Sequence, residues 1–109
     1  MAPTVWYHVR DLDEGRRFYR EVLGFEEVAV DFEERWSTLR RGAMEIGLAE
    51  GEPAEEGVAH VEVADLKAEA DRLREVGVEV GIVLELTGEM RLLDVYDPDG
   101  NRIQLAQEL

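Results

Sequence analysis

Cysteine is absent from this chain of 109 residues. Disulfide bonds, zinc sites built on thiolates and cysteine nucleophiles are therefore excluded. Long apolar runs are also missing, since no uninterrupted stretch approaches the ~20 residues that a membrane-spanning helix needs. The amino terminus lacks the basic and then apolar pattern of a secretory signal. We therefore expect a soluble, cytoplasmic protein with no membrane partner.

Positive charge is scarce. Twelve Lys and Arg residues stand against 26 Asp and Glu residues, which gives a formal net charge of −14, and Lys67 is the only lysine. An acidic surface repels phosphate backbones, so we expect no nucleic-acid partner. The same charge favours a cationic or neutral small molecule as ligand, although it has the simpler interpretation of a charge that keeps the protein in solution.

The chain contains an internal duplication. Val9-Arg-Asp-Leu12 returns as Val63-Ala-Asp-Leu66, 54 residues later, and Arg20-Glu-Val22 returns as Arg74-Glu-Val76 at the same offset. This offset is close to half the chain length, and two copies are too few for a repeat array. We predict a single domain, residues 1–109, made of two similar modules that share a cleft.

The first module is predicted to span about 4–49. Alternation over 4–9 predicts a strand with Val5, Tyr7 and Val9 on one face and Thr4, Trp6 and His8 on the other. Asp11 and Glu14 have the spacing of a helix start, and Gly24 is placed to end the helix. The apolar stripe of that helix is predicted to contain Leu12, Phe18 or Tyr19, Val22 and Leu23. Strands are predicted at 25–32, 35–41 and 43–49.

A charged linker, 50–57, leads to a second module at about 58–107 with the same plan. Ala59, Val61 and Val63 form the apolar face of its first strand, with Val58, His60 and Glu62 opposite. Its helix is predicted to begin at a cap formed by Asp65 and to end at Gly77. Strands follow at 78–85, 90–96 and 102–107, with a turn at 97–101. Each module therefore has the order βαβββ, which predicts an α+β fold whose helices leave one sheet face free to line a cavity.

These motifs resemble one family. A Val-x-Asp-Leu before a helix with Phe18-Tyr19, then Leu23-Gly24-Phe25, and a closing Asp97-Pro-Asp-Gly-Asn-Arg-Ile-Gln104 are similar to the vicinal oxygen chelate superfamily. That superfamily includes glyoxalase I, extradiol dioxygenases, fosfomycin-resistance enzymes and bleomycin-resistance proteins. The resemblance covers almost the whole chain and implies two modules that form a half-open β-barrel or cup. It leaves the activity open, because the superfamily carries out many reactions.

The resemblance also implies where a metal would be held. Enzymes of this superfamily bind a divalent metal with one side chain from the first strand and one from the last strand of each module. The matching positions here are Thr4, Gly47, Val58 and Gln104. None of them offers an imidazole or a carboxylate, which first-row divalent metals require when thiolates are absent. We therefore expect no metal and no other cofactor.

Two histidines keep a metal-dependent alternative open. His8 and His60 lie on the cavity side of the first strands, four and two residues beyond the ligand positions. A two-residue step moves a side chain by ~6.6 Å along a strand, so no single change of register brings both histidines into place. With Glu45 and Glu62 nearby in the pattern, one divalent metal ion at a non-standard site is the alternative.

The cavity-facing positions supply the candidate binding residues. Trp6 and Trp36 offer large flat surfaces for stacking, although ordinary core packing is the competing interpretation. His8 and Glu62 are candidates for an acid–base or ligand-orienting pair, because a nearby carboxylate favours the imidazolium; a polar cavity wall is the simpler alternative. The predicted set comprises Trp6, His8, Trp36, Glu45, His60, Glu62, Tyr96 and Gln104.

Three functions are consistent with this pattern. The first is a metal-independent protein, similar to the bleomycin-resistance proteins, that binds a cationic or aromatic small molecule. The second is a metal-dependent lyase of the glyoxalase I type or a dioxygenase. The third is a metal-free lyase or isomerase with His8 or Glu62 as general base. We also expect a homodimer, because two short modules leave exposed strand edges and a small core.

Overall fold

The computed structural model describes residue 3, residues 5–54 and residues 57–109. The first half contains four strands and one helix, which are β1 (Val5–Val9), α1 (Leu12–Arg17), β2 (Glu26–Asp31), β3 (Trp36–Arg41) and β4 (Met44–Glu50). The strands form one sheet in the order β1-β4-β3-β2. β1 runs parallel to β4, whereas the other neighbours are antiparallel.

The second half repeats this arrangement. Its elements are β5 (Ala59–Glu62), α2 (Leu66–Glu75), β6 (Leu84–Leu86), β7 (Met90–Tyr96) and β8 (Arg102–Glu108). The second sheet has the order β5-β8-β7-β6, again with a parallel pair at one edge. The predicted α+β fold of two βαβββ modules in a cup-like arrangement is therefore confirmed.

In β1 and β5 the apolar side chains lie on one side of the sheet, as the alternation predicted. Tyr7, Val9, Ala59 and Val61 are buried beneath the helices, whereas Trp6, His60 and Glu62 on the opposite side are exposed. The core lies between the helices and these inner sheet faces. The outer face of each sheet is left uncovered. Thr4, which the alternation also placed on an outer face, lies outside the described residues.

Both helices begin at the predicted aspartates. The Asp11 side chain accepts a hydrogen bond from the Glu14 amide at 3.1 Å, and Asp65 accepts one from the Ala68 amide at 3.1 Å. Each helix start also receives an acceptor from the last strand of its module: Glu50 bonds the Leu12 amide at 3.0 Å, and Gln107 bonds the Leu66 amide at 2.9 Å. The duplication therefore extends to the contact between helix and sheet.

The apolar stripe of the first helix was predicted to contain Phe18 or Tyr19, and a change in helix geometry allows both to be buried. After Arg17 the chain continues as one turn of π-helix, Phe18–Val22, in which the Leu23 amide bonds the Phe18 carbonyl at 3.1 Å. The wider turn rotates consecutive side chains relative to an α-helix, so both aromatic rings are buried in the core. Gly24, at φ +71°, then ends the helix, as predicted.

The predicted strand at 78–85 was wrong in extent. Regular pairing is limited to Leu84–Leu86, and upstream of it β7 contacts this segment through a single bridge, Val80 to Val95. Val78, Val80 and Val83 all pack against the core, so the alternation changes phase between Val80 and Val83. The irregular passage leaves Ile82 75% exposed.

A buried polar cluster joins the two modules. The Tyr7 hydroxyl donates to the Arg102 carbonyl and accepts from the Ala59 amide at 2.8 Å, so a side chain of β1 bonds to two strands of the second sheet. The Tyr19 ring stacks on Tyr7, and its hydroxyl donates to Asp97 at 2.7 Å. We call Tyr7, Tyr19, Asp97 and Asn101 the junction cluster.

Asp97 is the acceptor at the centre of this cluster. Its carboxylate also accepts from the Asp99 amide, the Asn101 amide and the Asn101 side chain, each at 2.9 Å. Asp97 was predicted to be a turn residue, and it does organise the 97–101 turn. Its bond to Tyr19 ties that turn to the first module. Among the described residues, no helix has the length and apolar character needed to cross a membrane.

The burial of the Tyr19 hydroxyl leads us to expect a loss of stability at alkaline pH. Burial, followed by the neighbouring Asp97 carboxylate, raises the pKa of Tyr19 well above the ordinary value of 10.0. A raised pKa in the folded state means that the contribution to stability is complete below about pH 10 and falls as the pH rises above it. Tyr19→Phe should remove this alkaline dependence and also lower the free energy of unfolding at pH 7 by about 1–3 kcal/mol, because Asp97 loses a donor. Urea unfolding at several pH values measures both effects.

Tyr96→Phe is the matched control, because the Tyr96 ring is partly exposed on the outer face of the second sheet. It should change neither the stability at pH 7 nor the alkaline slope. An alkaline slope in Tyr19→Phe equal to that of the wild type would show that Tyr19 is not its source.

Candidate functional site

The two uncovered sheet faces carry the predicted binding residues. The first open face, formed by β1, β3 and β4, contains Trp6, His8, Trp36, Glu45 and Gly47. The second open face, formed by β5, β7 and β8, contains His60, Glu62, Leu92, Asp94, Tyr96 and Gln104. Each predicted residue is therefore on an uncovered face, four on each sheet.

Trp6 lies flat on Gly47 in the first open face. The two residues are partners in the parallel pairing of β1 and β4. A Cβ atom built on Gly47 would be 2.3 Å from Cδ2 and Cε3 of the indole. The Trp36 ring meets Trp6 edge-on, with ring centroids 6.4 Å apart and an angle of 76° between the planes. Trp6 remains 41% exposed, so the two indoles form an accessible aromatic corner.

His8 lies next to the point where the linker leaves β4. Its ring is 3.1 Å from where a Cβ on Gly51 would be, and its carbonyl accepts a hydrogen bond from the Asn101 side chain at 2.9 Å. Glu45 is further along the same face, opposite Arg40 on β3. His8 thus belongs to the end of the first open face that adjoins the junction cluster.

The second open face is polar at its centre. His60 is the pairing partner of Gln104, in the position equivalent to Trp6 opposite Gly47. Gln104 Nε2 donates to Asp94 Oδ1 at 3.3 Å, and the Arg102 guanidinium is 3.6 Å from Asp94 Oδ2. An imidazole, an amide and a carboxylate–guanidinium pair therefore stand side by side. Tyr96 extends this face toward the 97–101 turn.

His8 and Glu62 are not brought together by strand pairing. His8 is on β1, opposite Ala49, whereas Glu62 is on β5, opposite Ala106 in the other sheet. The structure places Glu62 two residues from His60 on one face, and His8 two residues from Trp6 on the other. The predicted acid–base pair therefore has its two members on different open faces.

The linker contributes a cavity that the sequence pattern did not indicate. A space of about 460 Å³ lies between the linker and the 97–101 turn. Pro53, Ala54 and Val58 line one side, and Tyr96 and Arg102 line the other. The linker was predicted only as a charged connection between the modules. This cavity extends the second open face toward the first module.

The residues do not fit the metal site that the resemblance implies. The indole of Trp6 occupies the space that a side chain at position 47 would need. Gln104 presents an amide engaged by Asp94, Val58 has no donor atom, and Thr4 lies outside the described residues. Within residues 5–54 and 57–109, no three His, Asp or Glu side chains are grouped closely enough to hold a metal ion.

The carboxyl groups with lowered pKa lie away from the open faces. A hydrogen bond from Arg16 lowers the pKa of Glu27 on the helix side of the first sheet. A hydrogen bond from Arg35 lowers the pKa of Glu50, which also bonds the start of α1. These groups are held as carboxylates by structural ion pairs.

The chain matches a known protein family over almost its whole length. The model of the Glyoxalase/Bleomycin resistance protein/Dioxygenase superfamily matches residues 3–105. None of the curated proteins compared with the chain matches it.

Several solved structures share the fold over nearly the whole chain. An integron cassette protein from the mobile metagenome of the Halifax Harbour sewage outfall is 24% identical, with a TM-score of 0.83 over 94% of each chain. Lactoylglutathione lyase from Agrobacterium tumefaciens is 17% identical, with a TM-score of 0.79 over 98% of this chain and 92% of that one. The fosfomycin resistance protein FosX from Listeria monocytogenes, in complex with Mn(II) and sulfate, is 19% identical, with a TM-score of 0.78 over 95% of this chain and 86% of that one. At these identities the likeness shows the fold alone.

Gln104→Glu tests whether the second open face tolerates a second carboxylate next to Asp94. The change replaces an amide donor by a second negative charge 3.3 Å from Asp94. We expect the free energy of unfolding at pH 7 to fall by about 1 kcal/mol, because a hydrogen bond is lost and like charges are brought together. The loss should shrink on acidification, since protonating either carboxyl removes the repulsion. Urea unfolding at pH 7 and pH 4 measures it.

Gln107→Glu is the matched control on the same strand. Its side chain bonds the first amide of α2, and the equivalent residue in the first module is already a glutamate, Glu50. A carboxylate at a helix start is favourable, so stability should be unchanged or higher. Equal losses in the two variants would contradict the specific repulsion by Asp94.

Proposed function

The chain belongs to the Glyoxalase/Bleomycin resistance protein/Dioxygenase superfamily, and we propose that it is a metal-independent member that binds a small molecule at its open sheet faces. The observation that carries this proposal is the indole of Trp6 lying on Gly47. Where the resemblance implies a metal-binding carboxylate, this chain has a bare backbone covered by an aromatic ring. The corner is shaped for stacking instead of coordination.

The aromatic corner and the charge of the protein together indicate the ligand class. Trp6 is 41% exposed, and the Trp36 ring meets it edge-on at an angle of 76°. Indole rings attract cations through their π-electrons and stack well on flat rings. The net charge of −14 raises the local concentration of cations near the surface. A planar, positively charged heteroaromatic molecule suits both features.

The activities of the similar structures do not transfer directly. The Listeria protein is in complex with Mn(II), whereas in the part of this chain that the structure describes no three His, Asp or Glu side chains are grouped to hold a metal ion. The competing proposal, a metal-dependent lyase or dioxygenase, requires ligands that the described residues do not bring together. A metal-free reaction using His60 and its polar neighbours stays as the second candidate, because an imidazole, an amide and a carboxylate adjoin one another there.

Dimerisation is the second part of the proposal. Leu84 and Leu86 pair with Leu92 and Met90, so their side chains share the second open face, and they are 49% and 47% exposed. With Ile82 they form an apolar strip along an edge strand. Strips of this kind mark association surfaces, and a two-fold pair of chains would cover both copies equally. We propose that the first open face of one subunit faces the second open face of the other, so that each cleft combines both modules.

Binding of a planar cation tests the proposed function. N-methylacridinium, titrated into tag-free protein, should quench the tryptophan fluorescence with the same Kd before and after treatment with EDTA. Trp36→Ala should weaken binding about tenfold or more, since one aromatic wall is lost. Phe32→Ala is the control, because Phe32 is an exposed aromatic residue that packs under Arg16 away from the open faces. Elemental analysis showing about one metal ion per chain, or binding abolished by EDTA, would contradict the proposal.

Sedimentation velocity tests the dimer. The wild type should sediment as two chains at micromolar concentration, and Leu84→Lys should shift it toward one chain by placing a charge in the apolar strip. Because Leu84 is half exposed in the single chain, this change should leave the thermal stability of the subunit nearly intact. Val76→Lys, at the exposed end of α2, introduces the same charge elsewhere and should remain dimeric. A monomeric wild type would refute this part of the proposal.

A further inference from the structure

We propose that Gly47 is a positioning residue that sets the place of the Trp6 indole and, through it, the shape of the first open face. This inference rests on the proposed function, because the indole matters only if it receives a ligand. The geometry that supports it, however, is independent of any ligand. It concerns the contact between one backbone and one ring.

The requirement for glycine at position 47 is steric. A Cβ there would meet three atoms of the indole six-membered ring at 2.3, 2.3 and 2.5 Å, whereas real Cβ contacts stay above 3.0 Å. The φ angle of Gly47 is not in the left-handed region, so the backbone itself would accept any residue. A glycine in the interior of a strand is otherwise unfavourable, and it commonly marks a close approach. The close approach here is that of Trp6.

The indole must yield if a side chain is added. Ile46 and Leu48, on either side of Gly47, are fully buried, so the β4 backbone is fixed from below. Trp36 stands edge-on against Trp6 and limits the sideways movement of the ring. The remaining direction is outward, away from the sheet. Any residue larger than glycine at position 47 should therefore lift the indole off the strand.

The second module carries a side chain at the paired position and has a different surface there. Gln104 occupies the place equivalent to Gly47, and its amide rises from the sheet to reach Asp94 at 3.3 Å. The ring opposite it is the smaller imidazole of His60. The two halves of the duplicated site therefore have different shapes: a flat aromatic floor on one sheet and upright polar groups on the other. Gly47 is the residue that allows the Trp6 ring to lie against the sheet.

The contact between Trp6 and Trp36 gives a spectroscopic readout of this role. We expect two indoles at this distance and angle to couple, so the pair should contribute an exciton signal to the far-ultraviolet circular dichroism. Gly47→Ala should abolish that signal, shift the tryptophan emission to the red, and weaken N-methylacridinium binding about tenfold or more. Gly81→Ala is the matched control, since a Cβ there meets only ordinary contacts, 3.7 Å from the Asp94 carbonyl. It should leave the tryptophan signals unchanged.

A double-mutant cycle separates positioning from a general effect on β4. In the background of Trp6→Ala, Gly47→Ala should change the stability little, because no ring remains to be displaced. If Gly47→Ala alone does not fold, recovery of folding in the double variant would support the proposal equally. A retained exciton signal in Gly47→Ala, or an equal stability loss with and without Trp6, would overturn it. Failure of the wild type to bind the cation would instead refute the proposed function, and the cycle would still decide the role of Gly47.

Discussion

Two buried tyrosines hold the modules in register through their hydrogen bonds with the opposite half of the chain. Tyr7 bonds to backbone groups of both β5 and β8, and Tyr19 bonds to Asp97 in the turn before β8. The two sheets share no backbone pairing among the described residues, so the modules are joined by the core and by side-chain bonds, which also include the Arg41–Glu69 ion pair. A buried hydroxyl or carboxylate without its partner is costly, which makes the junction selective for one arrangement.

The two modules share their scaffold but differ in the residues of their open faces. Helix caps, strand order and the acceptor at each helix start recur in both modules. The outer faces differ at the candidate site, where the side chains are free of the packing that constrains the inner faces. Trp6 on Gly47 and His60 beside Gln104 occupy equivalent positions with unrelated chemistry. A cleft that combines the two faces would present one aromatic wall and one polar wall to its ligand.

Several arginines form ion pairs that stabilise the fold, whereas the excess of acidic residues gives the protein its net negative charge. Arg16 and Arg41 bind the partly buried Glu27 and Glu69 at 2.7 Å, and Arg35 binds the exposed Glu50 at 2.9 Å. These arginines are neutralised by their partners. The excess of acidic residues therefore determines the negative electrostatic potential around the protein. Such a field attracts cations over a distance, whereas the indole pair acts only at contact. The two effects favour the same class of ligand.

Most of the secondary structure, the duplication and the sides of the strands could be predicted from the sequence, because alternation, caps and glycine terminators act within a few residues. The alternation placed Trp6, His60 and Gln104 on open faces correctly. That Trp6 covers Gly47 became visible only in the folded chain, since β1 and β4 are paired across a long sequence separation and the local pattern does not reveal ring orientation. The phase change between Val80 and Val83 likewise depends on how the core packs. Local propensity cannot report contacts that form only when distant strands meet.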